Sequence, residues 1–302
     1  MPLADGRSST PQPSLLELLE RTSRTFALAI PLLPEPTQTT VCLAYLLFRV
    51  ADTLEDAAAW PRDERLRALD ELSALLNDPT PEHAQQASAQ WVQRKPTDNA
   101  SYLELLAAVP LLLAAVARLE GPVRRIVIDH VQRTTQGMRE TVESGDAAGR
   151  VRITTLKDLR RYCYVVAGIV GELLTALFVH DAPELRGVAP SLAEHQAEFG
   201  EGLQLVNILK DEAEDEASGR VFLPAGVERS EVFALARGGL AHAHLYVEAL
   251  VRGHAPDGFI AFTSLPAQLA DATLPRLERD GAGAKVPRAE VMALLARLLE
   301  AR

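Results

Sequence analysis

The chain has 302 residues, 47% of them hydrophobic and 24% charged, which is the balance of a folded globular protein of one large domain or two ordinary ones. Lys and Arg number 31 against 41 Asp and Glu, a formal net charge of -10, and aromatics are only 5%; this excludes a general nucleic-acid binder, which needs a basic face and stacking rings. Two cysteines, Cys42 and Cys163, exclude a disulfide framework or a cysteine metal site, and a reducing compartment is expected, the cytoplasm, with membrane association open. Residues 1–13 are polar and rich in Pro and Ser, and read as a flexible leader without a secretory signal.

From there the periodicity is helical. Ser14 fits an N-cap before Leu15, Leu18, Leu19 and Thr22 on one face. A second helix is predicted from Thr37 through Val41, Tyr45, Phe48 and Asp52 to about Ala58. Residues 62–76 are amphipathic and close at the turn-forming 77–81. The polar stretch 82–99 suits an exposed helix or a long loop. Helices follow at 102–119, 123–143, 155–180 and 191–216, the last with Ser191 as its N-cap after Pro190. Helical patterns at 231–252, 266–280 and 288–301 complete the chain. Strand-type alternation is absent, no solenoid repeat is visible and no shift in composition divides the chain; we read an all-α protein with one domain over 14–302. Residues 105–117 are apolar but too short for a membrane span, and 162–179, interrupted by Glu172, reads as a helix buried within a helical protein.

Two acidic clusters stand out. Asp52, Glu55 and Asp56 place three carboxylates on nearly one helix surface, and Asp211, Glu214 and Asp215 repeat the arrangement. With 16 Asp in the chain, a single D-x-x-x-D pair is expected by chance. Requiring Glu before the second Asp lowers the expectation to about 0.07, so two such clusters are not a chance product of composition. Like charges at this spacing repel, and a hard cation with oxygen ligands offsets the repulsion. Facing each other across an apolar lumen, the clusters would hold Mg²⁺ against phosphate oxygens, which suits a substrate with a diphosphate head and a hydrocarbon tail.

At these residues the chain resembles the squalene/phytoene synthase family, and within it the squalene synthases, over roughly 14–300. The landmarks are Thr22-Ser23-Arg24-Thr25-Phe26-Ala27, the run 44–56 ending in Asp52-Thr53-Leu54-Glu55-Asp56, the run 161–171, Gln204 through Asp215, and Gly219-Arg220-Val221-Phe222-Leu223-Pro224. The resemblance implies an isoprenoid synthase fold with helices around a central apolar cavity. It implies Mg²⁺-dependent head-to-head (1'-1) condensation of two farnesyl diphosphates through presqualene diphosphate to squalene, with reduction by NADPH. Asp52, Asp56, Asp211 and Asp215 would bind Mg²⁺, with Glu55 and Glu214 as further candidates. Ser23, Arg24, Arg49 and Arg220 would contact diphosphate, with Gln204 and Asn207 beside the second cluster. Tyr162 would assist proton removal and stabilise carbocations, and Phe26, Tyr45 and Phe262 would line the lumen. Lys285 and Arg288, with Asn207, fall where the family binds NADPH, although no Rossmann glycine motif is present.

Several positions depart from the family pattern. Pro287 replaces a basic residue, Glu212 stands where an aromatic or neutral residue is usual, and Lys210 replaces Arg. Gly168 and Gly171 are expected to allow close helix packing. The chain ends at Arg302, whereas membrane-anchored eukaryotic relatives carry a hydrophobic tail; a monomer is expected, and a peripheral membrane contact for product release stays open. The alternatives are an NADPH-independent enzyme making presqualene diphosphate, dehydrosqualene or phytoene, and a non-catalytic helical lipid-binding or assembly protein of the same fold.

Overall fold

A computed structural model describes residues 13–146 and 150–300. Almost all of the leader therefore lies outside the described residues. Fourteen α-helices make up the described chain, and its only β-pairing is an isolated bridge between Arg152 and Val221. The all-α expectation holds. Ser14 caps α1 (Leu15–Thr22) in a reciprocal capping box with Glu17, as its spacing predicts. A short α2 (Phe26–Ala29) runs into a 3₁₀ turn at Ile30–Leu32. Next comes α3 (Thr37–Glu55), which stops three residues before the predicted end and leaves Asp56 as its C-cap.

The polar stretch after α4 (Arg62–Asn77) is the helical alternative, α5 (Pro81–Arg94), opened by the Thr80 side chain and closed by Lys95 in the left-handed region. The single helix predicted over 102–119 is two, α6 (Ala100–Ala107) and α7 (Val109–Ala117), bent by 45°. Pro110 explains the break: it lacks an N–H and its ring crowds the preceding turn. After α8 (Gly121–Ser144), α9 (Leu156–Cys163) and α10 (Ile169–Asp181) are joined through one π-helical segment, Tyr164–Gly168. This run is long and apolar enough to cross a bilayer, and half of its most apolar window is buried inside the protein.

Next, α11 (Ala189–Ala217) starts two residues earlier than predicted, with Pro190 in its first turn, so Ser191 lies inside the helix and is not its cap. Then α12 (Arg229–Arg252) and α13 (Asp257–Asp280) pack beside it. The latter begins nine residues before the predicted segment and accommodates both Pro266 and Pro275. The last helix, α14 (Arg288–Glu300), lies against α13 and buries only Leu294.

A large core joins α1, α3–α8 and α10 with the buried side of α13, and a smaller one gathers Leu159, Tyr162, Leu205, Leu209, Phe222, Phe233 and Leu274. The long helices around the smaller core approach backbone to backbone. A Cβ on Gly171 would lie 1.9 Å from the Gln196 carbonyl oxygen of α11, so close packing is the role of this glycine. Gly202 of α11 and Gly239 of α12 meet in the same way. Residues of both α3 and α11 line one lumen.

Candidate active site

A cavity of about 460 Å³ opens between α3, α9–α11 and α13, and the four aspartates of the two acidic clusters line it. Each cluster lies in the last turns of its helix. Asp52 is in the final turn of α3 with Asp56 capping it, and Asp211 and Asp215 precede the end of α11 at Ala217. Carboxylates there meet the negative pole of the helix as well as each other, a doubly unfavourable placement that cations relieve. Arg220 supplies one such cation. Its Nη1 pairs with Asp56 of the first cluster and its Nη2 donates to Asp215 of the second at 2.8 Å, tying the two together. Arg49 donates to Asp52 at 2.5 Å and to the Tyr45 hydroxyl at 3.1 Å. Lys210 donates to the Asn207 amide oxygen at 3.1 Å and lies 3.3 Å from Asp211.

Desolvation at this crowded end, and then the Asp52 charge, raise the Asp56 carboxyl to about 6 against the pull of Arg220. Desolvation likewise raises Asp215, again opposed by Arg220. No three acidic, His or Cys groups among the described residues converge tightly enough to enclose an ion unaided. The hard oxygen donors of Asp52, Asp56, Asp211 and Asp215 nevertheless fit Mg²⁺. That ion is commonly held by one or two carboxylates and completes its octahedron with water and substrate phosphate oxygens.

The rest of the lumen is apolar. Phe26 lies 5.2 Å from the Tyr45 ring and 6.5 Å from Phe262, which packs edge-on to Phe178. Tyr162, 8% exposed, stacks on Phe222 with ring centroids 4.6 Å apart. Burial, and then the charges of Glu55, Asp56 and Asp52, hold its hydroxyl well above the ordinary phenol value. Gln204 and Asn207 also face the cavity.

Six of the expected residues lie outside the lining. Glu55 is buried behind the first cluster, where its backbone carbonyl accepts from Arg65 and one carboxylate oxygen has no hydrogen-bond partner. Glu214 is exposed on α11 and outside the cavity lining. Ser23 accepts from the Phe26 amide at 3.1 Å at the start of α2, and Arg24 is exposed. Lys285 and Arg288 are exposed too, although their loop is tied to α11 by the Gly283 amide donating to the Lys210 carbonyl at 2.8 Å. Conversely, Thr134 and Met138 of α8, Phe199 and Phe222 line the lumen without having been singled out. The first two are four residues apart on a buried helix face, and that pattern marks lumen and solid core alike.

The family model described as squalene/phytoene synthase matches residues 19–294. A squalene synthase of Eremothecium gossypii is 31% identical over 228 residues, covering 74% of this chain and 48% of that protein. A squalene synthase of Gibberella zeae is 29% identical over 229 residues, covering 74% and 46%. The chain thus spans about half the length of these curated relatives. Among solved structures, the fold superposes on a TcSQS–ligand complex with a TM-score of 0.74 at 24% identity, covering 94% of this chain and 85% of that one. On a ligand-bound dehydrosqualene synthase the TM-score is 0.56 at 20% identity, with 95% and 94% covered. With the four aspartates of the two acidic clusters and Tyr162 on one lumen, and the match running through nearly all of the folded chain, this protein belongs to the squalene/phytoene synthase family.

Proposed function

We propose that the chain condenses two farnesyl diphosphates head to head (1'-1), through presqualene diphosphate to squalene, with Mg²⁺ as cofactor and NADPH as reductant. One observation carries the reading: carboxylates at the C-terminal ends of α3 and α11 share one end of an apolar cavity, tied by Arg220. In a chain of net charge -10, such an end receives a diphosphate only with added positive charge. Bound Mg²⁺ would neutralise the diphosphate and stabilise it as a leaving group, held by Asp52, Asp56, Asp211 and Asp215.

Arg49 and Arg220, which line the cavity, would bind phosphate oxygens through their planar forks, with Lys210 as a point charge. The apolar walls around Phe26, Tyr45 and Phe262 would take the hydrocarbon chains and exclude water that would quench a carbocation. The stacked rings of Tyr162 and Phe222 present π faces to that charge, and the Tyr162 hydroxyl is the group in the lumen suited to relay the departing proton.

Of the residues expected to hold NADPH only Asn207 faces the cavity. Lys285 and Arg288 are exposed and lie outside the cavity lining. The same placement favours a second reading, an enzyme that ends without hydride transfer at presqualene diphosphate, dehydrosqualene or phytoene. Incubating the protein with farnesyl diphosphate and MgCl₂, with and without NADPH, and identifying the hydrocarbons by mass spectrometry separates them. Squalene formed only with NADPH is the expected result. A product profile unchanged by NADPH favours the second reading, and no coupled product from farnesyl or geranylgeranyl diphosphate would contradict both. An apolar product also calls for release at a membrane face, which vesicle co-sedimentation tests.

A further inference from the structure

The segment between α11 and α12 carries two residues of the site, Arg220 and Phe222, but little regular structure of its own. At its start the Arg220 amide folds back onto the Asp215 carbonyl at 2.9 Å. In its middle the Val221 amide donates to Val151 at 3.0 Å and its carbonyl accepts from Ile153 at 2.8 Å. Beyond that the chain turns through Gly226, at a φ of 82°, into the capping box of Glu228 and Glu231 that opens α12. These contacts hold the loop locally, and none sets the distance between its two ends.

The packing of α11 on α12 sets that distance, and at the base of the loop Glu212 and Arg229 add a charged tie across it. The Arg229 guanidinium pairs with the Glu212 carboxylate, reaches the Leu209 carbonyl at 3.5 Å and lies 5.5 Å over the Phe233 ring. Glu212 does not line the cavity. Beside Asp211 and four residues before Glu216 it only adds like-charge repulsion, unless a cation takes it up. The cation arrives from 17 residues further along the chain, across the base of the loop.

We propose that Glu212 and Arg229 form a clasp that closes the 212–229 loop and so positions Arg220 between the acidic clusters and Phe222 against Tyr162. Both are positioning residues; neither touches the cavity. A part-exposed pair of this kind shifts a two-state equilibrium only a few-fold. That is too little to decide folding, but enough to change the fraction of molecules with Arg220 in place. The functional consequence rests on the diphosphate site proposed above, whereas the clasp itself is a property of the loop.

The test uses the full chain as wild type, Glu212→Gln, Arg229→Gln, the double variant and the charge-keeping Arg229→Lys. Amide hydrogen exchange and calorimetric titration with inorganic pyrophosphate plus MgCl₂ are read on each. Exchange over 219–228 should quicken about three- to fivefold in both Gln variants, with α3 and α8 unchanged and pyrophosphate bound more weakly by the same factor. The double variant should be no worse than the singles, and Arg229→Lys should stay near wild type; in turnover assays KM should rise while kcat holds. Wild-type exchange in both Gln variants, or effects that multiply in the double variant, would overturn the clasp. Should a Gln variant not fold, faster loop exchange in Arg229→Lys than in wild type counts against a charge clasp, and unchanged exchange counts for it. A wild-type protein that binds no pyrophosphate contradicts the diphosphate site, and the exchange data still decide the clasp.

Discussion

Tyr162 combines a buried hydroxyl near three carboxylates with a ring stacked on Phe222. Replacing it by Phe keeps the stack and removes the proton-bearing oxygen. The expected result is a fall in kcat of about 100-fold with little change in KM, checked by steady-state kinetics on farnesyl diphosphate. Unchanged kcat would reduce Tyr162 to packing. Cys42 is 1% exposed, and burial, helped by the Glu35 charge, pushes its thiol up to about 12; Cys163 is fully buried and raised by the same cause. Both should therefore resist iodoacetamide at pH 8 in the native protein and react in denaturant, as counted by intact mass. At this scale the acidic clusters and Tyr162 were legible, because spacing and local motif carry them. The pairing of Arg220 with two carboxylates from different helices was not, since it depends on a loop path that periodicity does not encode.

Among the helices, α10, α11 and α12 show how the lumen is held open beside solid packing. Gly171→Ala would drive a methyl into the Gln196 carbonyl, backbone against backbone, so the helices must separate. The expected cost is about 1–3 kcal/mol, read from urea midpoints. Gly238 lies in the exposed middle of α12 with nothing within 4 Å of its missing Cβ, and Gly238→Ala should instead stabilise by about 0.5–1 kcal/mol. Equal effects of the two would contradict the packing account. The existence of most helices was readable from apolar spacing, and the misplacements share a cause. Pro110 split one predicted helix, Pro190 was absorbed into a first turn, and Pro266 lies inside α13 where a boundary was expected. Proline restricts its own residue and its predecessor, and tertiary packing decides whether a helix breaks or bends around it.

Over the whole molecule, the net charge of -10 includes two clusters set at helix C-termini around one cavity, where they repel each other and attract cations. The hydrophobic content likewise divides into filled core and lumen wall. Sequence could not make that division, because Met138 or Leu203 facing a cavity has the same helical spacing as Leu72 or Leu209 facing neighbours. The family resemblance supplied the lumen, and the fold shows which side chains line it. The central claim is that α3 and α11 build one joint metal–diphosphate site. It is tested most directly by calorimetric titration of inorganic pyrophosphate with MgCl₂ into wild type, Asp52→Asn and Asp211→Asn. The account predicts Mg²⁺-dependent binding in wild type, weakened at least tenfold by either substitution although they lie on different helices. Full-strength binding in either variant, or binding in wild type indifferent to Mg²⁺, would contradict it.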